Sequence, residues 1–303
     1  MMETQWGQLS VADAHVHFFS HRFFAGLAAQ RQVSADVLAE LLGWQLPLAE
    51  AEALAETWAR ELDRHHVERA VLIASAPGDE ESVTAAVRRF PDRFYAYAMV
   101  DPCAGDAAER AARALDSGHL HGLCFFPAMH RYSIQDERAI RLIDLLDARR
   151  GVAFVHCGVL TVGVRAKLGL RSDFDLRYSN PVDLHAVALR FPGVRFVVPH
   201  FGAGYFREAL MVADLCPNVY LDTSSTNSWM RYESETVDLR MVFRRALEVV
   251  GPRRLLFGTD SSFFPRGWQR PIFDAQAKAL YELGVSGADA SRILHDNLIH
   301  LMQ

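Results

Sequence analysis

Short apolar runs recur along the whole chain, spaced so that one helix fits between each pair. Eight of them have the length and near-continuous hydrophobicity of strands buried on both faces: Val11–His17, Ala70–Ser75, Phe94–Val100, Gly122–Phe126, Val152–His156, Val194–His200, Val219–Thr223 and Leu255–Asp260. Between them the apolar residues fall three or four positions apart. Ala49–His65 places Ala51, Leu54, Trp58 and Leu62 on one stripe, with Glu and Arg between them. Asp136–Arg150 repeats the pattern with Ile140, Ile143 and Leu146, and Phe206–Leu215 and Met241–Val250 are further helices of this kind. Proline punctuates the alternation: Arg89–Phe94, Arg190–Phe196 and Gly251-Pro252 each end a helix and lead into a strand.

Alternation repeated eight times predicts an α/β fold of the (β/α)₈ TIM-barrel type, with a doubly wound open sheet as the alternative. The stretch from Phe18 to Ala49 is too long for a plain connection. It is expected to be a helical insertion after the first strand, near the barrel mouth, where it can act as a lid. No linker-like composition interrupts the chain, so residues 1–303 are expected to form one domain.

Composition narrows the partners. Half of the 303 residues are hydrophobic, and a net charge of −5 gives no electrostatic reason to bind nucleic acid or an anionic membrane. The expected partner is a small-molecule substrate, with a homodimer left open. Cys103, Cys124, Cys157 and Cys216 form no Cys-x-x-Cys pair, which suits a reducing compartment. The N-terminal residues lack a basic region followed by an apolar stretch, and no uncharged run approaches membrane-spanning length. A cytoplasmic location is therefore expected.

The chemistry gathers at strand ends. The first strand closes on Asp13-Ala14-His15-Val16-His17, and residues two apart on a strand share a side. His156 ends the fifth run, His200 the sixth and Asp260 the eighth. In a barrel these ends form the active face. Polar groups ending apolar strands need partners, and one divalent cation satisfies several at once.

These residues carry a family resemblance. The stretches DAHVHFF, HGLCFFPAMHRYSIQDERAIRLIDLLDARRGVAFVHCG, FPGVRFVVPHFG, NVYLDTSS, LFGTDSSFFP and HDNLIHLM follow in order over nearly the whole chain. Together they resemble the amidohydrolase-related (amidohydrolase 2) branch of the amidohydrolase superfamily, which includes aminocarboxymuconate semialdehyde decarboxylase, other aromatic decarboxylases and lactonases. The resemblance implies His15, His17, His156 and Asp260 as metal ligands. It implies His200 as a second catalytic histidine beside the metal-bound water and the substrate, or as a further ligand. The fourth strand reads Cys124-Phe125-Phe126-Pro127, without the lysine that bridges two metals in some members, so one ion is expected. Three imidazoles and a carboxylate suit Zn²⁺ best, with Mn²⁺, Fe²⁺ or Co²⁺ as alternatives.

In such a site Asp260 is the expected general base, and His200 is expected to donate to a carbonyl oxygen as charge develops there. Asp13 is expected to hold a ligand histidine or to cap a turn. Substrate contacts are sought on loops after the strands: Arg165 after the fifth, Asn227 and Trp229 after the seventh, and Phe264, Arg266 and Trp268 after the eighth. Asn297 reads as structural. Gly202-Ala203-Gly204 lacks the third glycine of a dinucleotide fingerprint, and no phosphate loop or serine-nucleophile elbow is present. The expected activity is hydrolysis of a lactone, ester or amide by a metal-activated water. Non-oxidative decarboxylation of a carboxylated ring or muconate-like substrate is the alternative, and a non-catalytic metal-binding protein a third.

Overall fold

In a computed structural model, which describes residues 1–160, 162–224, 228–233 and 236–303, the chain opens with an antiparallel hairpin, β1 (Met2–Thr4) and β2 (Gly7–Leu9). Eight parallel strands follow in sequence order: β3 (Ala12–Phe18), β4 (Arg69–Ala74), β5 (Phe94–Val100), β6 (Gly122–Phe125), β7 (Val152–Val155), β8 (Arg195–Val198), β9 (Val219–Asp222) and β10 (Leu255–Leu256). Helices join them, as the spacing of the apolar residues required. The predicted helix over 49–65 runs Ala51–Arg64, that over 136–150 runs Glu137–Asp147, and that over 206–215 is Phe206–Leu215.

The sheet rolls into a TIM barrel. Its two edge strands meet through Ala14 N–H to Phe257 O (2.8 Å), His17 N–H to Ser261 O (2.7 Å) and Asp260 N–H to His15 O (3.0 Å), with Val16 and Ser261 bridged in parallel. The beginning and the end of the chain thus form one seam.

Strand residues alternate between two apolar layers. Val71, Ile73, Tyr97, Met99, Phe154 and Val197 fill the barrel interior together with Ala12 and Ala14. Leu72, Ala74, Ala96, Ala98, Val155 and Val198 face the helices together with Val11, Val16 and Phe18. On β3 the alternation changes phase, because a bulge shifts the register between Asp13 and Val16. Without it, Ala14 and His15 would point to opposite sides. With it, Ala12, Ala14, His15 and His17 all face inward, while Asp13 turns out to the seam.

Beyond the ends of β8 and β10, His200 (φ 56°) and Asp260 (φ 58°) adopt left-handed backbone conformations. Leu298 and Leu301, on the last helix (Asn297–Leu301), pack into the interior cluster. The insertion consists of helices His21–Arg31 and Ala35–Leu42, each started by a serine side chain that accepts a hydrogen bond from its first turn. It has a cluster of its own, in which Phe24, Leu27, Leu38 and Leu42 meet Val164 and Leu168 from the segment after β7.

Asn297 bears out its structural reading: its buried amide donates to Pro252 O (2.7 Å) and Leu255 O (2.8 Å), holding the start of β10. Replacing it with alanine leaves two carbonyls without donors. Asn297→Ala is expected to lower stability by about 1–3 kcal/mol in equilibrium urea unfolding.

Candidate metal centre

The seam delivers three side chains to one point at the mouth. His15 Nε2 and His17 Nε2 are 3.3 Å apart, and Asp260 Oδ1 lies 3.1 Å from His17 Nε2 and 3.7 Å from His15 Nε2. Among the described residues this is the group of metal-ligating type with donor atoms converging within 4.8 Å of one another. Donors about 2.0–2.1 Å from a tetrahedral Zn²⁺ stand roughly 3.4 Å from each other, so the observed spacing fits an ion of that size.

The neighbours decide which atoms carry protons. His15 Nδ1 lies 2.7 Å from a carboxylate oxygen of Asp222, which can only accept, so His15 donates from Nδ1 and keeps a lone pair on Nε2. His17 Nδ1 lies 2.7 Å from Ser75 Oγ, whose own proton goes to Ile73 O, so His17 does the same. Two lone pairs and a carboxylate oxygen therefore face one another, and only a positive centre between them relieves the repulsion. A divalent cation fits the donor set; a proton is its competitor.

Electrostatics follow from burial and partners. Burial opposes the charged form of His15, but the adjacent Asp222 carboxylate outweighs it and raises the pKa above the usual imidazole value. Burial opposes ionisation of Asp222 as well, and the charge and hydrogen bond of His15 bring its pKa down. Asp260 is held well below the carboxylate range: burial works against its charge, and the His17 hydrogen bond and the surrounding imidazoles overcome it. Burial lowers His17, His156 and His200, keeping those rings neutral. It pushes Asp13 up to about 6.

His156 and His200 stand in the same cavity, their ring centroids 5.2 Å apart. Neither joins the three-residue group. His156 stacks on Phe126 and its buried Nδ1 has no hydrogen-bond partner. His200 stacks on His15 at 5.1 Å, and its Nδ1 lies 2.9 Å from Ser224 O. A carbonyl only accepts, so neutral His200 carries its lone pair on Nε2. That changes its expected role: it takes a proton before it can donate to a carbonyl oxygen. The loops carrying the two histidines approach closely at Gly158 (φ 78°), where a Cβ would come within 2.1 Å of Gly202 O.

The cavity holds about 480 Å³. Phe19 and Phe23 stack at 4.0 Å and Trp44 on Phe263 at 4.0 Å, forming a flat aromatic wall contributed largely by the insertion. Trp229 and Arg266 line it as expected; Trp229 is 1% exposed and its indole nitrogen has no hydrogen-bond partner, while Arg266 donates to Ser262 Oγ (2.6 Å) over the Phe263 ring. Arg165 is placed outside the cavity, its guanidinium bonded to Gln30 Oε1 (2.7 Å) and Arg171 O, where it ties its helix to the insertion. Asn227 lies outside the described residues. Phe264 packs on Trp58 instead of lining the cavity, and Trp268 is buried behind the barrel wall. Sequence reasoning missed Asp222, Ser75, Lys167 and Arg231. The first two end apolar strand runs, the same signal that marked Asp260.

Wild-type protein reconstituted with Zn²⁺ or Mn²⁺ is expected to hold about one ion per chain by elemental analysis, as sites with an open fourth position do. Asp222→Asn is expected to weaken metal affinity about 10–100-fold in equilibrium competition with a chelator. Because Asp222 raises the proton affinity of His15, retention of the ion should fall as pH drops.

The sequence profile of the family described as Amidohydrolase matches residues 12–297. The protein fluG of Emericella nidulans is 36% identical over 119 residues, a match covering 38% of this chain but only 13% of fluG. The structure is similar to that of a dihydroxybenzoic acid decarboxylase from Polaromonas sp. JS666 with bound manganese and 2-nitroresorcinol, with TM-score 0.63, 17% identity and 97% of each chain covered. It is also similar to that of a probable 2-pyrone-4,6-dicarboxylic acid hydrolase from Acinetobacter baumannii with bound citric acid, with TM-score 0.62, 14% identity, 97% of this chain and 99% of that one covered. At such identities the two likenesses speak for the fold. The family match runs across β3 and Asp260 alike, the two halves of the seam that brings His15, His17 and Asp260 together, and this chain belongs to the amidohydrolase family.

Proposed function

We propose that this protein is a metal-dependent hydrolase of a small organic substrate, a lactone, ester or amide. The observation that carries the reading is protonic: the groups around the centre are proton acceptors. Asp260 is an ionised carboxylate with an oxygen at the centre, and His200, whose Nδ1 faces the Ser224 carbonyl, offers the lone pair of Nε2. Hydrolysis begins with loss of a proton from water and needs such acceptors. A divalent ion, Zn²⁺ first with Mn²⁺, Fe²⁺ or Co²⁺ as alternatives, would be held by His15, His17 and Asp260 and would supply the acidity that lets water ionise near neutral pH. His156, which the family resemblance implies as a further ligand, lines the same cavity as a neutral imidazole.

The residues divide the work. Asp260 accepts the water proton at its carboxylate and returns it to the leaving group. His200, steadied by Ser224, accepts a hydrogen bond at Nε2 from the attacking water and holds it in line with the carbonyl carbon. Phe19, Phe23, Trp44 and the other insertion residues keep bulk water from the reacting carbonyl. Lys167, Arg231 and Arg266 line the cavity, where Asp260 is the sole carboxylate among the described residues. Lys167 and Arg231 have no carboxylate partner among those residues, so they suit a substrate that itself carries an anionic group.

The same cations and the flat wall of Trp44 and Phe263 favour a second reading, non-oxidative decarboxylation of a carboxylated planar ring. It would need a proton delivered to the ring carbon that loses CO₂, with Asp260 or His200 as the carrier. The solvent label separates the two. ¹⁸O from water entering a product carboxyl, without CO₂ release, is the expected result; CO₂ release with no water consumed would select the second reading. Asp260→Asn is expected to lower turnover on the order of 10²–10⁴-fold by removing the general base. Lys167→Ala is expected to raise KM for an anionic substrate roughly tenfold, with kcat nearly unchanged.

A further inference from the structure

Trp268 is linked to the metal group from behind the barrel wall through Asp13. It is 2% exposed and lies behind the barrel wall, packed against Phe257 and Phe273. Its indole N–H donates to Asp13 Oδ2 at 2.7 Å. Asp13 is fully buried and spends its remaining capacity on the two halves of the seam. It accepts from His15 N–H (2.9 Å) on β3, and from Thr259 N–H (3.1 Å) and Thr259 Oγ1–H (2.5 Å) beside Asp260.

The segment around Trp268 is itself pinned. Glu61, buried on helix Ala51–Arg64, accepts the Trp268 backbone N–H at 3.0 Å. Gly267 (φ 66°) permits that approach, since a Cβ there would come within 2.2 Å of Glu61 Oε1. The next residue, Gln269, donates its amide to Thr259 O (3.0 Å) and Asp260 O (3.2 Å), and its backbone N–H to Ser261 Oγ (3.0 Å). Three consecutive residues, 259 to 261, are thereby held, Thr259 from one side by Asp13 and all three from the other by Gln269.

We propose that Gly267-Trp268-Gln269, anchored on Glu61, is a positioning clamp: through Asp13 it sets the separation between the His15–His17 pair on one seam edge and Asp260 on the other. Trp268 touches neither ion nor substrate and acts through Asp13. This rests on the metal reading above. An equal loss of core packing without loss of a hydrogen bond is available as a control in Trp58, a buried tryptophan whose indole nitrogen has no partner.

The test compares full-length wild type, Trp268→Phe and Trp58→Phe, each titrated with Co²⁺. Trp268→Phe is expected to bind Co²⁺ about tenfold more weakly, near the lower end of effects from groups that orient ligands, and to shift the visible Co²⁺ absorption. Trp58→Phe is expected to bind within about twofold of wild type with an unchanged spectrum. Amide hydrogen exchange of the metal-free proteins gives a second readout, with faster exchange expected at Thr259 and Asp260 in Trp268→Phe alone. Should Trp268→Phe not fold, Glu61→Ala, which frees the Trp268 backbone and keeps the indole, is expected to change both readouts in the same direction. Wild-type affinity, spectrum and exchange in Trp268→Phe, or equal changes in Trp58→Phe, would overturn the clamp. If wild type itself bound no Co²⁺, the metal reading would fail, while accelerated exchange confined to Thr259 and Asp260 would still support the clamp.

Discussion

Closure of the barrel between β3 and the segment 257–261 is the contact on which the rest depends. His15 and His17 come from the first strand of the barrel and Asp260 from the stretch that follows the last. Main-chain bonds from Ala14, His17 and Asp260 join these edges, and they fix the position of three side chains at the same time as they complete the sheet. A barrel left open at this point would expose two strand edges and lose its donor set in one step. Fold completion and site assembly are therefore the same event in this chain.

Much of this was legible before any coordinates. The period of the apolar residues distinguished strands from helices, because a strand buried on both faces cannot be amphipathic while a helix on its outside must be. The rule that polar residues ending apolar strands mark the active face located His15, His17, His156, His200 and Asp260, and all five line one cavity. Applied more strictly, it would have found Asp222 and Ser75 too. Asp222 closes β9 directly after its apolar residues.

What was not legible is mostly a matter of direction. The bulge on β3 leaves no mark in the hydrophobic pattern, yet it decides that Asp13 faces the seam while both Ala14 and His15 face inward. The left-handed backbone at His200 and Asp260 likewise has no glycine to announce it. Arg165 has the right loop and the wrong reach, because its long side chain finds closer partners in Gln30 and Arg171. The proton inventory of His200 needed the Ser224 carbonyl, which no spacing rule predicts. Sequence order names the residues at a mouth; only the network behind them says which nitrogen faces the substrate.

The two insertion helices pack into a cluster with Val164 and Leu168, apart from the main core. The roof over the cavity and the floor beneath it are thus stabilised by different sets of apolar contacts. The two sets meet where Trp44 stacks on Phe263 and Gln45 N–H donates to Phe264 O. A scaffold divided in this way keeps the side chains that shape the cavity's wall apart from those that close the barrel.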